Sequence, residues 1–314
     1  MLLVSYFLLS LVIFLFPALF LFILRGRRGG NTKHKQRYPP GPPGWPIVGN
    51  LLDVGTMPHR TLTNMRGKYG DVIWLRMGAM KTMAILSAKA STEFFKNHDL
   101  WFAERTITET MRAHGYDQGS LALAPYGPHW RVLRKLVTME MLVNKRILET
   151  APIRRKCVDD MLLWIEEESH KVGAGVGVRV ARFVFLMTFN LLGNLMLSRD
   201  LFDPDAKEGS EFFDAMMGLM EWSGHANLAD IFPCLRWLDP QGLKRKMERD
   251  MGKALGIASK FVKERLEENR DVAGDNNNNN NGRKDFLDVL LQFEGDGKDE
   301  PAKISDHDVN IFIL

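Results

Sequence analysis

Cysteine is scarce in this chain, with two in 314 residues, Cys157 and Cys234, which excludes a disulfide framework. No His and Cys cluster has metal-binding spacing, no glycine-rich phosphate loop follows a strand, and no nucleophile elbow is present, so no short motif declares a chemistry by itself. Charge of one sign is also lacking. The net charge of +4 comes from 42 Lys and Arg against 38 Asp and Glu, and six of those cations (Arg25, Arg27, Arg28, Lys33, Lys35, Arg37) precede the first acid. Without them the balance is 36 to 38. A nucleic-acid footprint needs a basic face on the folded body, so a nucleic-acid partner is not expected. With 45% hydrophobic residues, the chain is too apolar for a disordered protein.

A long uncharged run, by contrast, is present. Residues 2–24 carry no charge, and as a helix they would reach roughly 34 Å, enough to cross a bilayer. The cations follow this run and no cleavage site is evident, so it reads as a retained signal anchor (1–24) with a basic juxtamembrane segment (25–38). The positive-inside rule then puts the body on the cytosolic side, single-pass. Residues 39–50 hold five prolines between Pro39 and Pro46. They can be neither helix nor interior strand and read as a stiff extended hinge.

The body, 51–314, reads as mainly α with a small β element. Alternating apolar and polar residues around Gly78 predict a hairpin over 72–86. Helical periodicity predicts helices over 130–148, 153–168, 183–197, 210–222, 243–268 and 284–293. The run Asn276 to Asn281 reads as a surface loop. Ser305 followed by Asp308 predicts a capping box opening a last apolar helix. A chain that stops inside such a helix is expected to be the N-terminal part of a longer protein.

The most pointed cluster is Tyr126-Gly127-Pro128-His129-Trp130-Arg131-Val132-Leu133-Arg134-Lys135. Pro128 suits a helix start, and Trp130 and Arg134 then share a face, with an indole N–H and a guanidinium side by side for an anionic group. On spacing alone, an amphipathic helix with a packed Trp and solvated arginines is the stronger reading.

Taken together, Pro39-Pro40-Gly41-Pro42 through Pro46 to Gly49-Asn50, Phe102-Ala103-Glu104-Arg105 and Trp130-Arg131-Val132-Leu133-Arg134, in this order after an anchor, resemble the N-terminal part of a microsomal cytochrome P-450. Residues 189–204 and 230–242 look like the plant members that hydroxylate terpenoids or phenolics. The resemblance implies the N-terminal portion of that fold behind one transmembrane helix. It implies heme, with Arg105, Trp130 and Arg134 holding its propionates; Arg suits such carboxylates because it donates bidentately. It further implies a substrate pocket at the 105–125 loop (Met111, His114, Leu121, Leu123) beneath a roof that includes Phe213 and Met217. The partners implied are a membrane, an NADPH-dependent reductase, O₂ and a small apolar substrate, at the endoplasmic reticulum.

The departures from that family are specific. Neither Arg154-Arg155-Lys156-Cys157-Val158 nor Phe232-Pro233-Cys234 matches the loop that carries the family's thiolate iron ligand, and the oxygen-activating Ala-Gly-x-Asp/Glu-Thr-Thr segment does not occur. Glu-x-x-Arg occurs twice, at Glu109 to Arg112 and Glu267 to Arg270, too cheaply to carry a role. Two readings follow: part of a heme-dependent monooxygenase, or a truncated, non-catalytic membrane-tethered helical protein or binding module.

Overall fold

The computed structural model describes residues 38–173, 175–201, 207–274 and 285–314. The expected anchor, nearly all of the basic segment and the Asn276 to Asn281 run lie outside them. The described chain divides into two units, one running up to Phe102 and including Ile231–Cys234, the other Ala103–Asp230 with Leu235–Leu314.

The first unit holds helices α1 (Leu51–Val54), α2 (Pro58–Tyr69) and α3 (Ala88–Asn97) and strands β1 (Val72–Met77) and β2 (Met80–Ile85). The strands pair antiparallel, Val72 opposite Ile85 through Met77 opposite Met80, which is the expected hairpin. Alternation along β1 turns Ile73 and Leu75 inward, where they pack with Val54. The turn needs glycine: Gly78 has φ +60°, and a Cβ there would stand 2.6 Å from the Ile231 carbonyl oxygen. Beside it, the Ala79 N–H donates to that carbonyl at 3.0 Å. The proline-rich segment lies along β1 and closes in a turn between Trp45 and Gly49. Trp74 N–H donates to Pro40 O at 3.0 Å, the Tyr38 ring stacks on Trp74 at 4.4 Å, and Asn50 Oδ1 accepts the Arg76 N–H at 3.0 Å. The segment therefore satisfies backbone donors of a strand that would otherwise present an open edge.

The second unit is helical: α4 (Tyr116–Gly119), α5 (Pro128–Glu140), α6 (Asn144–Glu149), α7 (Ala151–Val172), α8 (Val180–Leu197), α9 (Lys207–Gly224), α10 (Leu228–Ile231, its last residue counted with the first unit), α11 (Leu243–Gly274), α12 (Phe286–Leu291) and α13 (Asp306–Ile313). The mainly α class with a small sheet therefore holds.

Two local expectations need correction. The helix expected over 130–148 is two, because α5 stops at Glu140 and α6 begins only at Asn144. Apolar Met141, Leu142 and Val143 carry the periodicity across this break, and Arg146 Nε donates to the freed Glu140 carbonyl at 3.1 Å. At Ser305 the hydroxyl accepts the Asp308 N–H at 3.1 Å but is itself bonded to the Asp308 carboxylate at 2.7 Å, so the reciprocal half of the box is missing. A full capping box forms instead at Asp285 and Asp288, opening α12.

Two cores hold this unit. In the first, Met247, Met251 and Ala254 form a helical stripe on α11 that buries against Phe183 and Leu186 of α8 and Phe212, Ala215 and Leu219 of α9. A polar knot accompanies it: Trp222 Nε1 donates to Asp250 Oδ2 at 2.8 Å, and Arg249 Nε lies 2.7 Å from Asp250 Oδ1. The second core gathers Leu133, Leu197, Phe286, Leu287, Leu290 and Val309. Beside it, Arg265 NH1 reaches both Asp285 oxygens at 2.9 Å and Asp288 at 3.1 Å, and its NH2 donates to Leu197 O.

Candidate functional site

Helix α5 carries two of the three expected donors, Trp130 and Arg134, and Arg105 lies in the irregular segment before it. Gly127 is extended, Pro128 starts the helix, Val132 and Leu133 are 1% and 0% exposed, and Leu133 anchors it to the second core. That burial fixes which side Trp130 and Arg134 share. Trp130 is half-buried, 5.6 Å from the Tyr126 ring, and its indole N–H donates to Leu121 O at 3.0 Å. Arg134 and Arg105 are exposed, and no carboxylate pairs with either guanidinium among the described residues. Next to Trp130, His129 Nε2 is buried with no hydrogen-bond partner among the described residues. Arg131 is exposed, and Lys135 Nζ lies 3.3 Å from Glu300 Oε1.

The substrate-side candidates separate. An apolar groove of about 610 Å³ opens between α8, α9 and α11, walled by Val184, Phe189, Met216, Leu219, Met251 and Leu314 among others. Of the six candidates, Met111 lines it. Phe213 packs against the first core, its ring edge-on to Phe185 at 5.0 Å. Met217 is 42% exposed in a charged cleft beside Arg249 and Lys253. Leu121 packs on the second core and supplies the carbonyl for Trp130. His114, at φ +51°, directs Nε2 to Glu248 O at 2.8 Å, and its own carbonyl meets His307 Nε2 at 2.9 Å. Leu123 is half-buried, its N–H donating to Ser120 O at 3.2 Å.

Sequence reasoning missed the α8 wall of the groove. That helix is apolar almost all round and is long and apolar enough by composition to cross a membrane, with 28% of it buried. Its groove-facing residues Val184, Thr188 and Leu192 recur every fourth position, but periodicity marks a face only when the opposite face is polar.

The cysteines sit apart. Cys157 is buried on α7, where burial above all, with nearby Asp200, pushes its thiol pKa up. Cys234 is exposed in the short 3-10 turn Pro233–Leu235.

The mainly helical body with one small hairpin is the fold class that the proline-rich, Phe-x-x-Arg and Trp-x-x-x-Arg segments implied. A family model described as Cytochrome P450 matches residues 39–314. The chain is 53% identical over 310 residues to cytochrome P450 76A2 of Solanum melongena, covering 99% of this chain and 59% of that protein. It is 48% identical over 299 residues to iridoid oxidase of Catharanthus roseus, covering 94% and 56%. It is 35% identical over 266 residues to drimenol monooxygenase of Persicaria hydropiper, covering 85% and 51%. The chain belongs to the cytochrome P450 family. It spans about half to three-fifths of the length of these curated relatives.

Membership implies heme, and the donor chemistry of Arg134 on α5 together with Arg105 in the irregular segment before it fits such a group. Two guanidinia without a carboxylate partner are what a pair of cofactor carboxylates requires.

Proposed function

We propose that this chain is the N-terminal part of a membrane-anchored, heme-dependent monooxygenase that hydroxylates a small apolar substrate of terpenoid or phenolic type. The domain reading goes with it: anchor 1–24, basic segment 25–38, hinge 39–50, and a monooxygenase domain from 51 that continues in the parent protein. The body faces the cytosol from the endoplasmic reticulum membrane and takes electrons from an NADPH-dependent reductase. The observation that carries the reading is the family match over residues 39–314, with the half-buried Trp130 and Arg134 one turn apart on α5 and Arg105 in the irregular segment before it.

Bound heme supplies oxygen activation and insertion of one oxygen atom into the substrate. The residues of this chain hold and orient. Arg105 and Arg134 would hold the propionates of bound heme by charge-assisted hydrogen bonds, and Trp130, whose N–H donates to the Leu121 carbonyl, would supply a further donor. The groove by Met111 excludes water from the apolar substrate. Neither Cys157 nor Cys234 is the iron ligand in this reading. A buried thiol with a raised pKa resists forming the thiolate that iron needs.

Heme per polypeptide in the parent protein tests this. A buried carboxylate that loses its donor is under-satisfied by about 1 to 3 kcal/mol, so Arg134→Ala should lower heme retention roughly tenfold, and Arg131→Ala should leave it unchanged. Full heme in Arg134→Ala with loss in Arg131→Ala would reject the assigned face. A thiolate-type carbon monoxide band from the 314-residue chain that vanished in Cys157→Ala or Cys234→Ala would overturn the reading of the cysteines. A chain whose parent took up no heme would stand as the non-catalytic tethered protein.

A further inference from the structure

Between Ala103 and Pro125 the chain has little regular structure, only two turns of 3-10 and α helix, so something other than a helical ladder must fix it. One of its long-range ties runs 121 residues along the chain. The Glu109 N–H donates to Asp230 Oδ1 on α10 at 2.8 Å. The Glu109 side chain, 14% exposed, pairs with Arg236 at 3.2 Å and with Arg112 at 3.6 Å, and Arg112 also faces the buried Asp117 at 3.7 Å. Gln118 donates to the same Asp117 oxygen at 2.8 Å. Asp230 is itself seated firmly: its N–H donates to Asn227 O, and Gln241 bridges Leu228 N and Ala226 O on either side of Asn227.

The second Asp230 oxygen is buried without a hydrogen-bond partner among the described residues. Burial, then the nearby Glu109 charge, pushes the pKa of this carboxyl up, against the pull of the Glu109 N–H, Arg236 and Arg112. A carboxylate held in so unfavourable a place is costly for stability alone. Two residues beyond Glu109 stands Met111, which lines the apolar groove and packs on the first core. Thr108 O accepts the Met111 N–H at 3.1 Å, and Thr110, 2% exposed, lies between. Hydrogen bonds within the turn thus join Thr108 to Met111 and Thr110 to Ala113, and Asp230 is one of its distant fastenings.

We propose that Asp230 is a positioning residue: with Glu109 and Arg236 it latches the 108–113 turn to α10 and so sets the aperture of the apolar groove at Met111. The proposal rests on the reading of that groove as a seat for apolar substrate and deepens it. A ligand entering beside Met111 passes a wall held on one side by the Asp230 hydrogen bond and the Arg236 ion pair, and on the other by the ties of His114 to Glu248 and His307.

The test uses the 314-residue chain, with hydrogen exchange at the Glu109 amide and Nile red as the apolar probe. Asp230→Ala should speed exchange at Glu109 at least tenfold and Nile red release several-fold. Asp230→Asn, which keeps an oxygen for the amide, should restore both toward the unmodified values, a rescue that loss of packing alone does not produce. Arg236→Ala, at an exposed position, should speed exchange about threefold, and it decides the latch if Asp230→Ala does not fold. Val184→Trp, filling an exposed part of the groove wall, should block Nile red and leave Glu109 exchange alone. Unchanged Glu109 exchange in Asp230→Ala, or in Arg236→Ala where the first does not fold, overturns the latch. Faster exchange with unchanged probe release overturns its link to the groove. If Nile red ignores Val184→Trp, the groove is not an apolar seat and that part of the proposed function fails, while amide exchange still decides the latch.

Discussion

The two units of this chain are held by different parts of the polypeptide. In the first, main-chain groups do most of the work: Pro40 O, Val48 O and Ile231 O each accept an N–H from the hairpin, and Arg76 O accepts from Asn50. Glycines let those backbones approach, since a Cβ on Gly41 would overlap the Trp74 carbonyl and one on Gly49 the Arg76 carbonyl. In the second unit the decisive groups are side chains, with Arg265 tying Asp285 and Asp288 and Asp250 tying Trp222 and Arg249. The lesson is that sensitivity to mutation should follow backbone clearance in one unit and charge satisfaction in the other.

Three substitutions can break or sharpen that contrast. The largest effect belongs to Arg265→Leu. Asp285 is 4% exposed on its side chain and would be left as a buried charge without its cation, so denaturant unfolding should show a loss of about 3 to 5 kcal/mol. A loss near zero would mean that the capping box alone satisfies Asp285. Next is Gly49→Ala. Its φ of +65° penalises any Cβ, and the clash with Arg76 O adds strain. About 2 to 3 kcal/mol should be lost in the first unit, read as faster amide exchange along β1 with α11 unaffected. A uniform loss across both units would erase the distinction.

The smallest effect is at Asp250. Its pKa is held below the usual carboxylate range, first by the Arg249 hydrogen bond and also by Trp222, against the cost of burial. A depressed folded pKa contributes stability above the unfolded value, and that contribution is lost as pH falls through the folded value. Asp250→Asn keeps an acceptor for Trp222 but loses the charge, and because Arg249 is mostly exposed the expected cost at neutral pH is only about 1 kcal/mol. The gap between variant and unmodified chain should close on acidification. A gap that persisted through Asp250 protonation would assign the knot to shape rather than charge.

What was legible in the sequence follows the same division. The hairpin could be read because Ile73 and Leu75 alternate with outward residues, and α11 because its Met247, Met251, Ala254 stripe faces a charged opposite side. The α5 donors could be read because four-residue spacing is local. The Leu121 carbonyl that takes the Trp130 N–H could not, since it belongs to a loop whose path no periodicity fixes. Likewise the Glu109 to Asp230 bond joins an irregular loop to a four-residue helix, and neither has a pattern that names its partner. The break after Glu140 escaped because Met141, Leu142 and Val143 continue an apolar rhythm through residues that are not helical.

The return of Ile231–Cys234 to the first unit has a consequence for synthesis. Ala79 emerges from the ribosome 152 residues before Ile231, whose carbonyl it needs. At about 5 to 20 residues per second the hairpin turn waits roughly 8 to 30 s for its partner. During that interval the Ala79 N–H lacks its Ile231 acceptor, while Gly78 already has Val48 O, and the nascent N-terminal unit is exposed to chaperones and to wrong strand partners. The order of translation therefore leaves the earliest-made unit unfinished until most of the helical body has been made.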